Sequence, residues 1–190
     1  MAGVYRPRHQ RQLFSDDPNG AVNCLAYATA IALDRATIGG LVGVTGALIR
    51  RLTDEPVPDR DPRTPNGPGL IIEQIIPASA KLHVMLTSRV DRTWTTLMAD
   101  LRAWRGVVVE TDYDQFGVWS AQPSFRGDHG VFINHISSDG KLLVYDPLAA
   151  KARWIPESVI RTAAEKRGRN AGLAAGRIRY AVTRPTPLIA

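Results

Sequence analysis

Residues 23–34 constrain this chain more than any other stretch. They read Asn-Cys-Leu-Ala-Tyr-Ala-Thr-Ala-Ile-Ala-Leu-Asp, alanine-rich and almost wholly apolar. Alanine is the strongest helix former, and a helix that is apolar on nearly every side is stable only when protein surrounds it. The run is too short for a membrane span, which needs about 20 apolar residues, and no other stretch of the chain comes closer. The rest of the chain must therefore wrap this helix. A length of 190 residues suffices for one domain with a real core. Asn23 is a good N-cap, which sets Cys24 in the first turn.

The remaining segments supply the wrapping. Gly39-Gly40 ends the first helix, and Thr45 caps a second short one through Leu52. Residues 53–69 hold five prolines and two glycines and read as a long loop. Leu70–Ala80 reads as a third helix with Pro77 near its end, and Leu82–Thr87 alternates like a strand. Thr93–Trp104 is an amphipathic helix with Trp94, Leu97, Leu101 and Trp104 on one side. Gly106–Tyr113 is a strand and Asp114–Asp128 a loop. His129–Ile136 and Lys141–Asp146 are strands on either side of Ser137-Ser-Asp-Gly140, a hairpin signal. Pro156 opens a helix through Lys166, and Arg177–Thr183 is a last strand. Helices first and mostly antiparallel strands afterwards make an α+β plan. The expected organisation is an extended N-terminal arm over 1–20, a domain over 21–170, and a C-terminal strand with a basic tail over 171–190.

Composition narrows the function. One cysteine excludes an intrachain disulfide and any multi-cysteine zinc or iron–sulfur site. The four histidines, His9, His83, His129 and His135, lack metal-ligand spacing such as HExxH. The first residues, Met1-Ala-Gly-Val-Tyr-Arg-Pro-Arg, carry no apolar core of a secretory signal. The net charge of +6 sets 20 arginines and 4 lysines against 18 acids, and basic residues cluster at both ends, with Arg6, Arg8 and Arg11 at the start and seven cations in the last thirty residues. A basic face attracts nucleic acid, acidic glycopolymer or acidic protein. No helix-turn-helix, zinc finger or aromatic-studded RNA-binding signature accompanies it, so nucleic acid is the weaker expectation. Gly40–Gly46 lacks the Lys-Ser/Thr of a phosphate loop, and Arg126-Gly-Asp128 is a chance tripeptide.

Cys24 is the first residue with chemistry to offer. Free N–H groups and the positive end of the dipole stabilise a thiolate at a helix start. A cysteine nucleophile also needs a base, and the base an orienting group. His129 and Asp146 can supply these if the hairpin loop is Ser137–Gly140. Ile136 then pairs with Lys141, Asp146 lies opposite Val131, and His129 and Asp146 are diagonal neighbours about 7–8 Å apart on one face. A one-residue slip would separate them. His135 would pair with Leu142 at the turn end, about 20 Å from His129 along the strand, too far to share a site.

A thiol opening an N-terminal helix, a histidine opening a later strand and Asp-Pro closing the next resemble a papain-like cysteine peptidase, and more narrowly its bacteriocin-processing peptidase-like branch. Asn23-Cys-Leu-Ala-Tyr-Ala, Gly106-Val-Val-Val-Glu-Thr-Asp-Tyr, Gly127-Asp-His-Gly-Val and Tyr145-Asp-Pro-Leu are similar to peptidase-like proteins encoded among virion genes of tailed actinobacterial phages. The resemblance spans roughly residues 10–170. It implies a papain-like fold, Cys24 as nucleophile, His129 as general base and acid, Asp146 as orienter, and no cofactor or metal. Its implied partners are a peptide or protein substrate and other virion proteins, and its implied location is the virion, after synthesis in the host cytoplasm. The family often carries a glutamine about six residues before the cysteine and a glycine after it, where this chain has Pro18 and Leu25. Asn19, Gln12 or backbone N–H groups at the helix start are the substitute oxyanion donors.

Two functions therefore stand as expectations. One is a cysteine hydrolase of amide bonds. The other is a papain-like scaffold, catalytically weak or inactive, built into a phage capsid or tail.

Overall fold

The computed structural model describes residues 9–11, 23–36, 44–53, 70–82, 84, 86–104 and 106–183. Gln12, Asn19, His83, Gly39-Gly40, most of the 53–69 loop and the tail beyond residue 183 lie outside them. The elements run α1 (Cys24–Ala36), α2 (Gly46–Leu52), α3 (Ile72–Ala80), β1 (Leu86–Thr93), α4 (Trp94–Trp104), β2 (Val107–Asp112), β3 (Asp128–Ile136), β4 (Lys141–Tyr145), β5 (Arg153–Pro156), α5 (Glu157–Asn170) and β6 (Arg177–Thr183). A 3-10 helix, Tyr113–Trp119, follows β2. The six strands form one sheet in the order β1-β6-β2-β3-β4-β5, every neighbouring pair antiparallel.

Side-chain alternation along β2 divides the core in two. Val108 faces one side with Phe132, Tyr145 and Ala181, under α1, α2 and α3. Val107 and Val109 face the other with Val131, Ile133, Tyr180 and Val182, under α4 and α5. Residues 23–33 are buried without interruption, as the apolar run requires. The Thr29 hydroxyl donates back to the Leu25 carbonyl at 2.7 Å. Thr45 caps α2 as expected, its side chain accepting from Leu48 N at 3.1 Å.

Several boundaries differ from the sequence reading. Lys81, Leu82 and Val84 are not strand, because the α3 carbonyls of Pro77 and Ser79 accept their N–H groups. The strand starts instead at Leu86. Trp104 does not join Trp94, Leu97 and Leu101 inside; Met98 does, and Trp104 is exposed at the helix end. Arg153–Pro156, unanticipated, is an edge strand paired with β4. α5 continues past Lys166 to Asn170.

The hairpin turn also differs. Ile136 pairs with Leu142, and His135 with Leu143, one place off the expected pairing. A bulge at Asn134 then absorbs one residue, so Ile133 pairs with Val144 and Phe132 with Tyr145. The two offsets cancel, and beyond the bulge the register is the expected one. Residues 9–11, from the expected arm, are seated on the domain. His9 Nε2 donates to the Ala149 carbonyl at 2.9 Å and its ring stacks on Tyr145. The Gln10 amide bonds Val44 O and Gly46 N at the start of α2.

Candidate active site

The restored register brings His129 and Asp146 together. His129 Nε2 lies 2.8 Å from Asp146 Oδ1, with both side chains essentially inaccessible to water. Oδ1 also accepts from Leu148 N at 2.8 Å, a local turn that starts at Asp-Pro. Oδ2 accepts from the Tyr113 hydroxyl at 3.1 Å, and Arg153 Nη2 stands 3.7 Å away. The carboxylate is thus held at both oxygens before any substrate arrives.

Cys24 opens α1, where the first-turn N–H groups have no intrahelical partner. Its Sγ contacts the Asp128 carbonyl at 4.0 Å, beside the His129 backbone. Gly130 makes this approach feasible: a Cβ there would lie 2.7 Å from Leu25 Cα and 3.0 Å from Leu25 N. The glycine after His129 is the point where the first turn of α1 rests on β3. Asp146 occupies Nε2, which leaves Nδ1 as the ring nitrogen available to the thiol.

The electrostatics follow from this packing. Burial alone disfavours a charged imidazole. The Asp146 carboxylate, its hydrogen bond and Cys24, as hydrogen-bond and charge partner, outweigh burial and push the His129 pKa up to about 9. Burial would raise Asp146, but the His129 charge and the hydrogen bonds from His129, Leu148 and Tyr113 hold it below the usual carboxylate range. The raised His129 pKa favours a protonated ring at neutral pH, with Asp146 as its acceptor at Nε2.

An aromatic wall surrounds the ring. Tyr113, Phe125 and Phe116 meet His129 with centroids 4.7, 5.6 and 6.4 Å away, all edge-on. Tyr113 Oη also accepts from Ala121 N at 2.8 Å and Gln122 N at 3.2 Å, so one hydroxyl ties the 113–127 loop to Asp146. The loop lines an open cleft of about 390 Å³, bordered by Tyr113, Asp114, Gly117, Ser120, Pro123 and Arg126. The sequence reading treated this stretch as plain loop; its aromatic content, Tyr113, Phe116, Trp119 and Phe125, was the available signal. His135 is exposed at the far end of β3, against Trp154, and takes no part. The oxyanion candidates Asn19 and Gln12 fall outside the described residues. Among those residues no three His, Cys, Asp or Glu side chains group to hold a metal, and no helix is long and apolar enough to cross a membrane.

Solved structures share this architecture. The chain matches a protein described as a C39-like peptidase from Bacillus anthracis with a TM-score of 0.63 at 14% identity, over 96% of this chain and 98% of that one. It matches the peptidase domain of Streptococcus ComA, a bi-functional ABC transporter involved in a quorum-sensing pathway, with a TM-score of 0.57 at 13% identity, over 96% and 100%. The sequence matches no protein-family model and no curated protein. The fold is the α+β, papain-like fold of these peptidases.

Proposed function

We propose that this chain is a cysteine peptidase-like hydrolase of amide bonds, with Cys24 as nucleophile, His129 as proton shuttle and Asp146 as orienter. The observation that carries the reading is the buried 2.8 Å contact of His129 Nε2 with Asp146, which leaves the other ring nitrogen to the only thiol of the chain. Peptidase neighbours support a peptide or protein substrate. A scaffold gains little from such a pair, since apolar residues of similar volume are often as stable as a buried ion pair.

The chemistry follows the geometry. The imidazolium holds the proton that the thiol gives up, so sulfur attacks the carbonyl as thiolate. A C–S bond forms, His129 gives its proton to the leaving nitrogen, and the C–N bond breaks. The neutral ring then takes a proton from water, the hydroxide attacks the acyl carbon, and the C–S bond breaks to restore thiolate and imidazolium. First-turn N–H groups of α1 are offered as donors for the oxyanion, with Asn19 and Gln12 as proposals beside them.

Virion association is part of the proposal and rests on the short sequence stretches that resemble phage proteins. The test is proteolysis of a diverse peptide library by the whole chain and its Cys24→Ala variant. Cleavage that disappears in Cys24→Ala, with an unchanged circular-dichroism spectrum, supports the reading. Equal cleavage by both, or rapid alkylation of neither the native thiol nor a partner histidine, overturns it.

A further inference from the structure

α5 delivers a guanidinium to the end of the β2–β3 pair that the 113–127 loop joins. Arg167 Nε lies 3.3 Å from Glu110 Oε2, and its Nη1 lies 3.2 Å from Asp128 Oδ2. The arginine side chain is 13% exposed and Glu110 only 4%, whereas Asp128 is 57% exposed, so the bridge runs from the interior to the surface. α5 can come this close because Gly168 has no Cβ; one there would collide with the Arg177 carbonyl. A second tie follows three residues on, where Asn170 Nδ2 donates to Asp112 Oδ2 at 3.0 Å.

The two carboxylates flank the catalytic register. Asp128 immediately precedes His129, and its own carbonyl touches Cys24 Sγ. Glu110 pairs across the ladder with Gly130, the residue on which Leu25 rests. Its other oxygen, Oε1, accepts from Ile72 N at 2.7 Å and so caps α3, whose own N-cap, Ile71, has no acceptor to offer. One arginine therefore fixes both strands where α1 lands, and through Glu110 it reaches the helical layer as well. Charged groups facing this bridge are Glu73 of α3 and Arg179 of β6, themselves paired at 3.6 Å. Across the His129 ring stand Asp146 and Arg153.

Resting on the peptidase reading, we propose that Arg167 is a positioning residue for the Cys24–His129 pair, acting through Asp128 and Glu110. Stability alone accounts poorly for the bridge, because a largely buried arginine–carboxylate pair gains little over apolar packing. Alignment gains much more, since about 1 Å of misplacement at a reacting pair can cost about 10² in rate.

Alkylation of Cys24 by iodoacetamide tests this in the full chain without a known substrate. In Arg167→Gln and in Asp128→Asn, labelling at neutral pH is expected to slow about tenfold, with its pH profile moved to higher pH. Arg167→Lys, which keeps the charge, is expected to recover part of the rate. Arg161→Gln breaks the exposed Arg161–Glu165 pair on the same helix and is expected to label like the native protein. Should Arg167→Gln fail to fold, Asp128→Asn, at an exposed side chain, carries the test. Native rate and profile in a folded Arg167→Gln or Asp128→Asn variant overturn the inference. Slow labelling of the native protein is a different result: it overturns the nucleophile assignment on which the inference rests.

Discussion

The Tyr113 hydroxyl donates to Asp146 Oδ2, the carboxylate oxygen that His129 does not use, while accepting two backbone N–H groups from its own loop. Orientation of the histidine thus depends on a residue 33 positions upstream of the aspartate. Tyr113→Phe leaves the Ala121 and Gln122 N–H groups without their acceptor and frees one side of Asp146. The expected cost is about 1–3 kcal/mol of stability. Activity should fall about tenfold, the usual scale for losing an outer partner of a working group. Thermal unfolding and steady-state kinetics measure the two effects separately, and a rate loss at unchanged KM places the defect in the triad.

Stability should fall as the pH rises through the alkaline range. His129 is raised above its unfolded value of about 6.5, so the folded state binds more protons there than the unfolded state. The stabilisation is complete below about pH 6.5 and is lost as the pH approaches about 9. Asp146 is shifted the opposite way, so its contribution holds at neutral pH and disappears on acidification below the usual carboxylate range. Melting temperatures of the native protein should therefore form a plateau that declines towards pH 9. In His129→Gln the alkaline decline should flatten; an unchanged decline would place its origin elsewhere.

Gly130→Ala tests the contact between α1 and β3. The added methyl meets Leu25 backbone atoms at 2.7–3.0 Å, so α1 must move away from the strand. Overpacking of this kind costs about 1–3 kcal/mol, and displacing Cys24 by about 1 Å should remove about 10² in rate. Adding Leu25→Ala relieves the side-chain clash, with Leu25 Cδ1 at 2.8 Å, but not the backbone one. The double variant should regain no activity, which a purely side-chain conflict would contradict.

The sequence made the His129–Asp146 pair legible for a local reason. His129 and Asp146 are 17 residues apart on one hairpin, so alternation and a turn signal nearly suffice to pair them. The turn itself was read one residue off, and the bulge at Asn134 corrected it; nothing in Ile133-Asn134-His135 announces a bulge. What surrounds that pair was not legible, because it arrives through tertiary packing. Arg167 looks like any basic residue of a charged helix until Gly168 lets α5 settle against β6. Glu110 sits in an apolar strand, and only the position of α3 shows what its carboxylate does. Phe116 and Phe125 belong to a stretch with loop composition, and their role is set by the fold of that loop around His129. β5 escaped notice because four residues ending in proline carry too little alternation to register.

The two described histidines of β3 offer the sharpest comparison. His129→Ala should abolish turnover, whereas His135→Ala, exposed at the far end of the strand, should leave it within a few-fold. Asp146→Asn keeps the size of the side chain but presents His129 with a donor in place of a full acceptor. The ring then favours the wrong tautomer, a change that costs about 10⁴ in rate in serine proteases. It also leaves the Tyr113 hydroxyl and Leu148 N with a weaker partner, so stability should fall by about 1–3 kcal/mol. Cys24→Ala removes only one sulfur and should cost about 1 kcal/mol while ending turnover. Chemical denaturation and peptide cleavage of the four variants separate these outcomes. If His135→Ala proved as damaging as His129→Ala in a folded protein, the shuttle would be the wrong histidine, because no contact joins His135 to Cys24 or Asp146 among the described residues.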